Sequence, residues 1–334
     1  MKRTVIAILA AVALLGSAAS AQTVNLLCSP DLAWCEALGP AFKEATGYDL
    51  EFIRMSSQDA LARIRAEAAN PVFDVWFGGT GDPHLVAATE GLTEFYEPTV
   101  WDQIIPSLKA QVNSAYIPLY AGAIGFAVNE GVLNGKPNPQ GWRDLTDPTY
   151  KGLLAMPDPN SSGTAYTIIA TLIQIFGEEE AFEILAGIHS NIAQYTSSGA
   201  APGQMAGRGE VGIAIQFMHD GVKFALQGFP LTVYAPVEGT GYEIGGISLV
   251  KNGPNREAAI AFIEWALTPE AQMLAASRGD SFQIQSNVNT PVPDAAPRLE
   301  DINLIDYDFA HFGTPAVRDA VVGRWTNEIF PLPR

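Results

Sequence analysis

Short β-type runs alternate with helical segments along most of this 334-residue chain, and that alternation limits the possible folds more than any other feature. The β-type runs cover residues 24–27, 50–55 and 74–77, and the helical segments after them begin near Pro30, Ser57 and Asp82. Gly47 stands where the first helical segment should end. This order is typical of an α/β protein in which helices cover both faces of a parallel sheet.

A second set of strand and helix units follows the first. Its predicted strands are residues 124–128, 153–156, 192–195 and 211–216, and its predicted helices are residues 164–176, 178–189 and 200–208. The first pattern then resumes, with a β-type run at 244–250, an amphipathic helix at 256–267 and a late helix near 315–329. One α/β unit therefore interrupts another.

This interruption predicts two lobes with two chain crossings, near Gly122 and near Pro236. The first lobe would contain residues 22–122 and 236–334, and the second lobe would contain residues 123–235. The chain length and an apolar fraction of 48% supply enough side chains for two cores. Because ligands of open α/β sheets lie beyond the carboxyl ends of the strands, we expect a ligand cleft between the lobes.

The N-terminus has the composition of an export signal. Lys2 and Arg3 precede an apolar stretch at residues 4–16, and small residues follow it up to Ala21. The stretch is shorter than the roughly 20 residues of a membrane span. We therefore predict a signal peptide, residues 1–21, cleaved before Gln22, rather than a membrane anchor.

Two cysteines, Cys28 and Cys35, are the only ones in the sequence. An exported compartment permits disulfides, and a bridge here would tie the end of the first strand to the following helix. A metal site is the less favoured alternative, since structural zinc takes four ligands and no histidine lies between the two thiols.

The charge balance excludes two classes of partner. Against 36 acidic side chains stand 19 basic ones, which gives a net charge of −17. A general binder of nucleic acid or of an anionic membrane needs the opposite sign. An aromatic content of 10% also excludes an intrinsically disordered chain.

Four polar turns, each between a predicted strand and a predicted helix, contain the first candidate ligand-binding residues. These candidates are Ser56, Ser57, Thr80, Gly81, Ser161, Ser162, Gly163, Thr164, Ser198 and Gly199. Backbone N–H groups and hydroxyls at helix N-termini bind anions. Any one of these turns alone is better explained as an ordinary helix cap, since Ser and Thr are preferred caps. Four turns at equivalent strand ends would converge on one cleft, and we therefore predict an anion cradle.

A fifth strand, at residues 211–216, runs into a histidine and an aspartate. His219 and Asp220 at such a strand end could hydrogen-bond ligand hydroxyls from two sides, as a sugar site requires. Glu238, just past the second predicted crossing, is a third candidate of this kind. Each of the three also has a purely structural explanation, as a cap, a core imidazole or a solvated carboxylate.

Sequence motifs of common enzymes are absent. The chain has no Gly-x-Ser-x-Gly elbow, no Walker-type phosphate loop and no His-Glu-x-x-His segment. Catalytic carboxylates leave no spacing signature, so an exported carboxylate hydrolase remains an alternative. We expect a binding protein rather than an enzyme, with no cofactor and no metal.

A resemblance to a known family rests on five segments, which are residues 78–84, 158–166, 209–214, 246–252 and 268–272. In these segments the chain resembles the ferric-iron-type branch of the type II periplasmic solute-binding proteins of ABC importers. The resemblance extends over essentially the whole chain after the leader. It implies a periplasmic protein, expected to be a monomer, that closes its two lobes on a small solute and delivers it to a membrane permease. No nucleic-acid partner is implied.

The ligand implied by the resemblance depends on the residues after the strand at 211–216. Iron-binding members carry two neighbouring tyrosines there, whereas this chain has Met218, His219 and Asp220. Ferric iron prefers phenolate and carboxylate oxygen. The His-Asp pair instead resembles the hexose-phosphate-binding subgroup, in which His219, Asp220 and Glu238 would hold sugar hydroxyls and the serine-rich turns the phosphate. A 2-aminoethylphosphonate or another organophosphate is the main alternative ligand, and ferric iron is the second.

Overall fold

A computed structural model describes residues 23–334 of the chain, so the predicted signal peptide lies outside the described residues. The strands are β1 (Thr23–Cys28), β2 (Asp49–Arg54), β3 (Val75–Phe77), β4 (Thr93–Glu94), β5 (Ile117–Val128), β6 (Leu154–Pro157), β7 (Ile192–Thr196), β8 (Ile213–Phe217), β9 (Thr232–Tyr234), β10 (Tyr242–Val250) and β11 (Ile284–Gln285). None of the helices between residues 23 and 334 combines the length and the apolar composition that a membrane crossing requires.

The helices are α1 (Leu32–Thr46), α2 (Ser57–Ala66), α3 (Gly81–Thr89), α4 (Pro106–Val112), α5 (Glu130–Leu133), α6 (Gly163–Phe176), α7 (Glu178–Asn191), α8 (Ala201–Gly207), α9 (Met218–Leu226), α10 (Arg256–Ala266), α11 (Pro269–Gln272), α12 (Leu274–Arg278), α13 (Phe309–Phe312) and α14 (Pro315–Arg324). A π-helical turn, Trp325–Ile329, extends α14. Gly47 ends α1 with a left-handed φ of 82°, and its N–H donates to the carbonyl of Lys43. The predicted alternation of strands and helices is confirmed.

The strands form a mixed sheet in the order β2-β1-β3-β10-β5-β8-β6-β7. The outer strands pair in parallel, as β1 does with β2 and β3, and as β6 does with β7 and β8. The long strands β10 and β5 pair antiparallel with each other and with their other neighbours in this order. The predicted parallel sheet is therefore wrong for β5 and β10, because these two strands carry the chain between the lobes in opposite directions.

Strand β5 is the first of the two crossings. Its N-terminal half pairs with β10 in the first lobe, and its C-terminal half pairs with β8 in the second lobe. The predicted lobe boundary near Gly122 and the predicted strand start at residue 124 both fall inside β5, which runs unbroken through both positions. Gly122 is needed for close approach, since a Cβ there would lie 2.5 Å from Nδ1 of His219.

Two hydrophobic cores occupy the two lobes. The core of the first lobe packs Trp34 and Phe42 of α1 against Phe77 and against Phe262 of α10. The predicted disulfide between Cys28 and Cys35 is confirmed, and it joins β1 to α1 at the edge of this core. The core of the second lobe is built mainly from β5, α6 and α7.

The last segment of the chain packs on the second lobe. Trp325 is fully buried in the second core, and α14 contacts α6. Arg324 forms ion pairs with Glu178 and Glu179 at the start of α7. The predicted late helix is confirmed. It packs on α6 and α7, although residues 236–334 were predicted for the first lobe, whereas α13 contacts α4 of that lobe. The sequence could not reveal this, since scattered aromatic side chains can cover either lobe.

The two lobes are closed on each other. Oγ of Ser56, in the first lobe, donates a hydrogen bond of 2.9 Å to the carbonyl of Ser197 in the second. Nζ of Lys223, on α9, lies 2.8 Å from Oδ2 of Asp31 at the start of α1. Both contacts cross the cleft and surround the candidate site.

Candidate ligand-binding cleft

The cleft lies where four turns of the sheet meet. Each turn follows one of the strands β2, β3, β6 and β7 and leads into α2, α3, α6 or α8. The turn residues that face the cleft are Ser56, Ser57, Gly79, Thr80, Ser162, Gly163, Thr164, Gly199 and Ala200. The structure therefore brings the four predicted turns together, while ligand binding by them stays a prediction.

The hydroxyls of these turns are not used as helix caps. Ser56, Thr80 and Ser162 occupy the N-cap positions of α2, α3 and α6, yet none of these side chains accepts a hydrogen bond from its own helix. Oγ1 of Thr80 is buried and has no partner among the described residues. The dipoles of the three helices favour negative charge at this end of the cleft. Hydroxyl donors and helix N-termini together suit an anion.

Close packing of the two lobes depends on a glycine in the third turn. A Cβ on Gly163 would collide with Oγ1 of Thr80, which lies across the cleft. Oγ of Ser57 in turn accepts a hydrogen bond of 3.1 Å from the backbone N–H of Thr80. The absence of a side chain at Gly163 therefore lets the start of α6 approach Thr80 at the start of α3, and both residues line the cleft.

The other end of the cleft is formed by α9 and β10. Nε2 of His219 lies 3.8 Å from Oδ1 of Asp220 and 3.9 Å from Oε1 of Glu243. Its Nδ1 is buried without a partner within residues 23–334. The ring stacks on Phe217 at a centroid distance of 5.4 Å. His219 thus faces two carboxyl groups without a short hydrogen bond to either.

Burial decides the protonation states at this end. Burial first, and Lys223 second, lower the pKa of His219 to about 3, so the imidazole is neutral at physiological pH. Burial raises the pKa of Asp220 well above its usual range, and Asp31 raises it further, whereas Lys223 lowers it. Burial and the neighbouring Asp220 likewise raise the pKa of Glu243. Groups that both donate and accept hydrogen bonds suit ligand hydroxyls.

One basic side chain lines the cleft wall. Arg54, at the end of β2, donates from Nε to the carbonyl of Pro30 at 3.0 Å and from Nη2 to that of Ser29 at 3.4 Å. The guanidinium therefore braces the turn between β1 and α1. Arg54 also lines the cleft, next to Asp31 and Ser56.

Four predicted site residues do not face the cleft. Glu238 accepts hydrogen bonds from the backbone N–H groups of Trp142 and Arg143, and it is not among the residues that line the cleft. Gly81 begins α3, packed against the Tyr116 hydroxyl. Ser161 and Ser198 lie beside the cleft, where Oγ of Ser161 donates to the carbonyl of Ser197.

Several residues that line the cleft were not predicted from the sequence. They are Ser29, Asp31, Tyr120, Phe217, Glu243 and Gln283. Glu243 is 4% exposed and takes the position that the sequence analysis had assigned to Glu238. The available signal was a carboxylate directly before the predicted β-type run at 244–250, because such a group is rarely buried without a partner or a function.

The described part of the chain, residues 23–334, contains no group of three His, Cys, Asp or Glu side chains arranged to hold a metal ion. Met218 and His219 follow β8 at the point where the iron-binding branch was expected to carry its tyrosines. The donor set of the cleft is thus one of hydroxyls, carboxyls and an imidazole.

Comparisons with known proteins agree with this description. Residues 82–311 match the family model described as bacterial extracellular solute-binding protein. The chain is 40% identical to an uncharacterized protein of Haemophilus influenzae over 326 residues, which cover 96% of this chain and 94% of the relative.

Two solved structures are similar over nearly their full length. The periplasmic binding protein AfuA from Actinobacillus pleuropneumoniae, with exogenous fructose-6-phosphate bound, is 39% identical and superposes with a TM-score of 0.91 over 94% of this chain and 100% of its own. The periplasmic binding protein P5PA is 34% identical, with a TM-score of 0.89 over 92% of this chain and 99% of its own.

Proposed function

We propose that this chain, which belongs to the bacterial extracellular solute-binding proteins, captures a small phosphorylated organic solute such as a hexose 6-phosphate in its cleft. The observation that carries the proposal is a single cleft with two chemically different ends. One end offers hydroxyls and helix N-termini, and the other offers His219, Asp220 and Glu243.

The family sets the general role. The protein is a solute-binding component of an ABC importer with a type II periplasmic binding fold, and its family places it outside the cytoplasm. The bound fructose-6-phosphate of AfuA, a protein 39% identical to this one, supports a phosphorylated sugar as the ligand here. Cleavage of the leader after Ala21 and a monomeric state belong to the proposal.

The turns would hold the phosphate. Thr80 and Ser162 present hydroxyls that their own helices do not use, and Ser56 donates its hydroxyl proton to Ser197 across the cleft. The N-termini of α2, α3 and α6 line the same cleft. Neutral donors of this kind bind a dianion without a strong positive field. This suits a chain whose net charge is −17.

The sugar hydroxyls would contact the opposite end. A neutral imidazole can donate from one nitrogen and accept at the other, and a carboxyl group accepts, or donates when protonated. His219, Asp220 and Glu243 are each no more than 7% exposed, so a hydroxyl that fails to pair with them would leave buried polar groups unsatisfied. That cost is the source of selectivity between ligands.

Binding rather than turnover is the proposed activity. The ligand would bridge the lobes and stabilise the closed form through contacts that the open form lacks. Small-angle scattering should show a smaller radius of gyration when fructose 6-phosphate is added. An unchanged profile at saturation would contradict hinge closure, and release of inorganic phosphate from the sugar phosphate would reveal a hydrolase.

Calorimetry with a matched set of probes tests the ligand. We expect binding of fructose 6-phosphate and glucose 6-phosphate, and much weaker binding of inorganic phosphate or free glucose, since each of these occupies one end only. Equal affinity for inorganic phosphate and the sugar phosphates would overturn recognition of the sugar. A charge-transfer band with ferric citrate would reveal an iron carrier instead.

A 2-aminoethylphosphonate is the second candidate, because one observation favours an amine. Asp31, Asp220 and Glu243 all line the same end of the cleft, and three carboxyl groups attract a cation. Tight binding of this phosphonate, together with weak binding of both hexose phosphates, would replace the first proposal with the second.

A further inference from the structure

We infer that Lys223, which reaches across the cleft to Asp31, is a specificity-determining residue that favours hydroxyl-bearing over amine-bearing ligands. This inference rests on the proposed function, because it concerns which phosphorylated solute the cleft accepts. It also explains how a site with three acidic side chains can suit a neutral sugar.

The contact joins the two lobes at the sugar end of the cleft. Nζ of Lys223 lies 2.8 Å from Oδ2 of Asp31, and the two side chains are 13% and 17% exposed. Lys223 follows Asp220 by three residues on α9, so both side chains lie on the same face of that helix. The ammonium group therefore stands next to the acidic residues that line the cleft.

The position of Asp31 is held from three sides. Pro30 precedes it, the disulfide between Cys28 and Cys35 closes the short loop that contains it, and Arg54 binds the carbonyl of Pro30. Asp31 stands at the N-cap position of α1, yet its side chain accepts no hydrogen bond from that helix. Its carboxylate is thus fixed toward the cleft and paired with Lys223 instead.

The charge of this end depends on Lys223. Asp31 is paired with Lys223. Burial first, and Asp31 second, raise the pKa of Asp220, and burial and Asp220 raise the pKa of Glu243, so these two carboxyl groups readily hold protons. Without Lys223, the Asp31 carboxylate would lose its ion-pair partner, and Arg54, whose guanidinium binds the carbonyls of Ser29 and Pro30, would be the remaining basic side chain in the cleft wall. A ligand ammonium would then satisfy Asp31 as Lys223 now does, whereas a hydroxyl could not replace the lost charge.

Because the ion pair spans the lobes, it forms only as the cleft closes. An amine that reaches the site in the open form would be trapped beside a second cation on closure. A hydroxyl at the same place can hydrogen-bond to the carboxyl groups without competing for the ion pair. The discrimination therefore acts on the closed complex and should appear mainly in the dissociation rate.

The test compares glucose 6-phosphate with glucosamine 6-phosphate, which differ by one hydroxyl replaced by an ammonium. We expect the unmodified protein to favour glucose 6-phosphate, and K223Q to shift the ratio of the two Kd values toward the amine by about tenfold. D31N should shift the ratio the other way. Titration calorimetry and stopped-flow dissociation give both quantities.

A double variant separates charge from packing. D31N/K223Q removes both charges and should return the ratio to within about threefold of the unmodified protein. Arg143→Gln is the matched control, because Arg143 forms an exposed ion pair with Glu180 inside the second lobe. It should leave the ratio unchanged.

The outcomes separate the inference from the proposed function. Binding of glucose 6-phosphate by the unmodified protein, with the same ligand ratio in K223Q, would overturn the role of Lys223 and leave the proposed function standing. A ratio that shifts in K223Q and equally in the double variant would also overturn it, because a lost contact rather than charge would then explain the shift. Failure of the unmodified protein to bind any phosphorylated probe would overturn the proposed function, and this inference with it.

Discussion

His84 in the first lobe and His219 in the second are both buried, and burial lowers the pKa of each to about 3. Their hydrogen bonding differs. Nδ1 of His84 lies 2.7 Å from the Ser248 hydroxyl, and its Nε2 lies 3.0 Å from the carbonyl of Gly78. The ring also stacks on Trp76 at 3.7 Å. His219 has an unpartnered Nδ1 and two carboxyl groups almost 4 Å away.

The different hydrogen bonding of His84 and His219 shows that burial and a shifted pKa do not by themselves identify a binding residue. The surroundings of His84 already satisfy both nitrogens, so this imidazole supports the turn at Gly78. The surroundings of His219 leave polar atoms free at a cleft, which is costly unless a ligand completes them.

The largest effect is expected from H219A/D220A. Removing both groups should weaken binding of fructose 6-phosphate by about a thousandfold, because the sugar hydroxyls lose their partners in a buried site. Inorganic phosphate should lose no more than about threefold, since it would occupy the turns. Calorimetry with both ligands checks this. Equal losses would mean that the pair supports the fold and does not contact the sugar. His311→Ala, at an exposed position on α13, is the control.

H84A should have the opposite profile. The variant loses two hydrogen bonds and a stacked ring, so we expect the free energy of unfolding to fall by about 3 kcal/mol. The ligand affinity of the folded protein should stay within about threefold of the unmodified value, because His84 does not line the cleft. Urea unfolding and calorimetry at low temperature measure the two separately. A large loss of ligand affinity in folded H84A would show that His84, like His219, contributes to ligand binding, and would contradict a purely structural role.

The two histidines should nevertheless respond alike to pH. The folded protein keeps each imidazole neutral down to about pH 3, whereas the unfolded chain, with an ordinary pKa of 6.5, binds a proton. Their stabilising contribution is therefore complete above pH 6.5 and is lost as the pH falls toward 3. H84Q and H219Q should each reduce the slope of unfolding free energy against pH near pH 5 by about 1.4 kcal/mol per unit.

Difference curves between each variant and the unmodified protein are needed for that measurement. Burial raises the pKa of Asp82 to about 7, and this group contributes with the opposite sign, since the folded state holds the extra proton between about pH 4 and 7. A slope that changes in only one of the two variants would show that the other imidazole is not neutral in the fold.

The smallest effect concerns a contact at the anion end. S56A removes the hydrogen bond from Ser56 to the carbonyl of Ser197, which joins the lobes. We expect a loss of about threefold to tenfold in affinity for both fructose 6-phosphate and inorganic phosphate. The parallel loss distinguishes this end from the His219 end. A loss confined to the sugar phosphate would contradict the assignment of the turn to the phosphate.

Much of the site could be predicted from strand ends. The carboxyl ends of β2, β3, β6 and β7 meet at one place in this fold, so polar turns at those ends converge whatever their exact bounds. His219 and Asp220 follow the end of β8 and were found by the same rule. The rule that ligands lie at the carboxyl ends of strands depends only on the direction of the strands. The parallel direction of the strands that carry these turns could be predicted from the alternation of strands and helices.

Asp31 and Glu243 could not be predicted from strand ends, for physical reasons. Asp31 looks like an ordinary helix cap in the sequence, and only the structure shows its carboxylate paired with Lys223 instead. Glu243 comes from β10, whose antiparallel direction brings the beginning of a strand, rather than its end, to the cleft. Glu238 was chosen for its closeness to the second crossing, but its carboxylate binds the backbone at Trp142.

The packing of the last segment has a consequence for the order in which the protein can fold. Trp325 and Ile329 complete the core of the second lobe, and β10 and α10 complete the first, so neither lobe is a continuous stretch of chain. While the ribosome is still adding these residues, the earlier part of the chain has no finished core to collapse into. The first lobe therefore cannot complete its core before Ala275 has been added, and the second lobe cannot complete its core before Ile329 has been added.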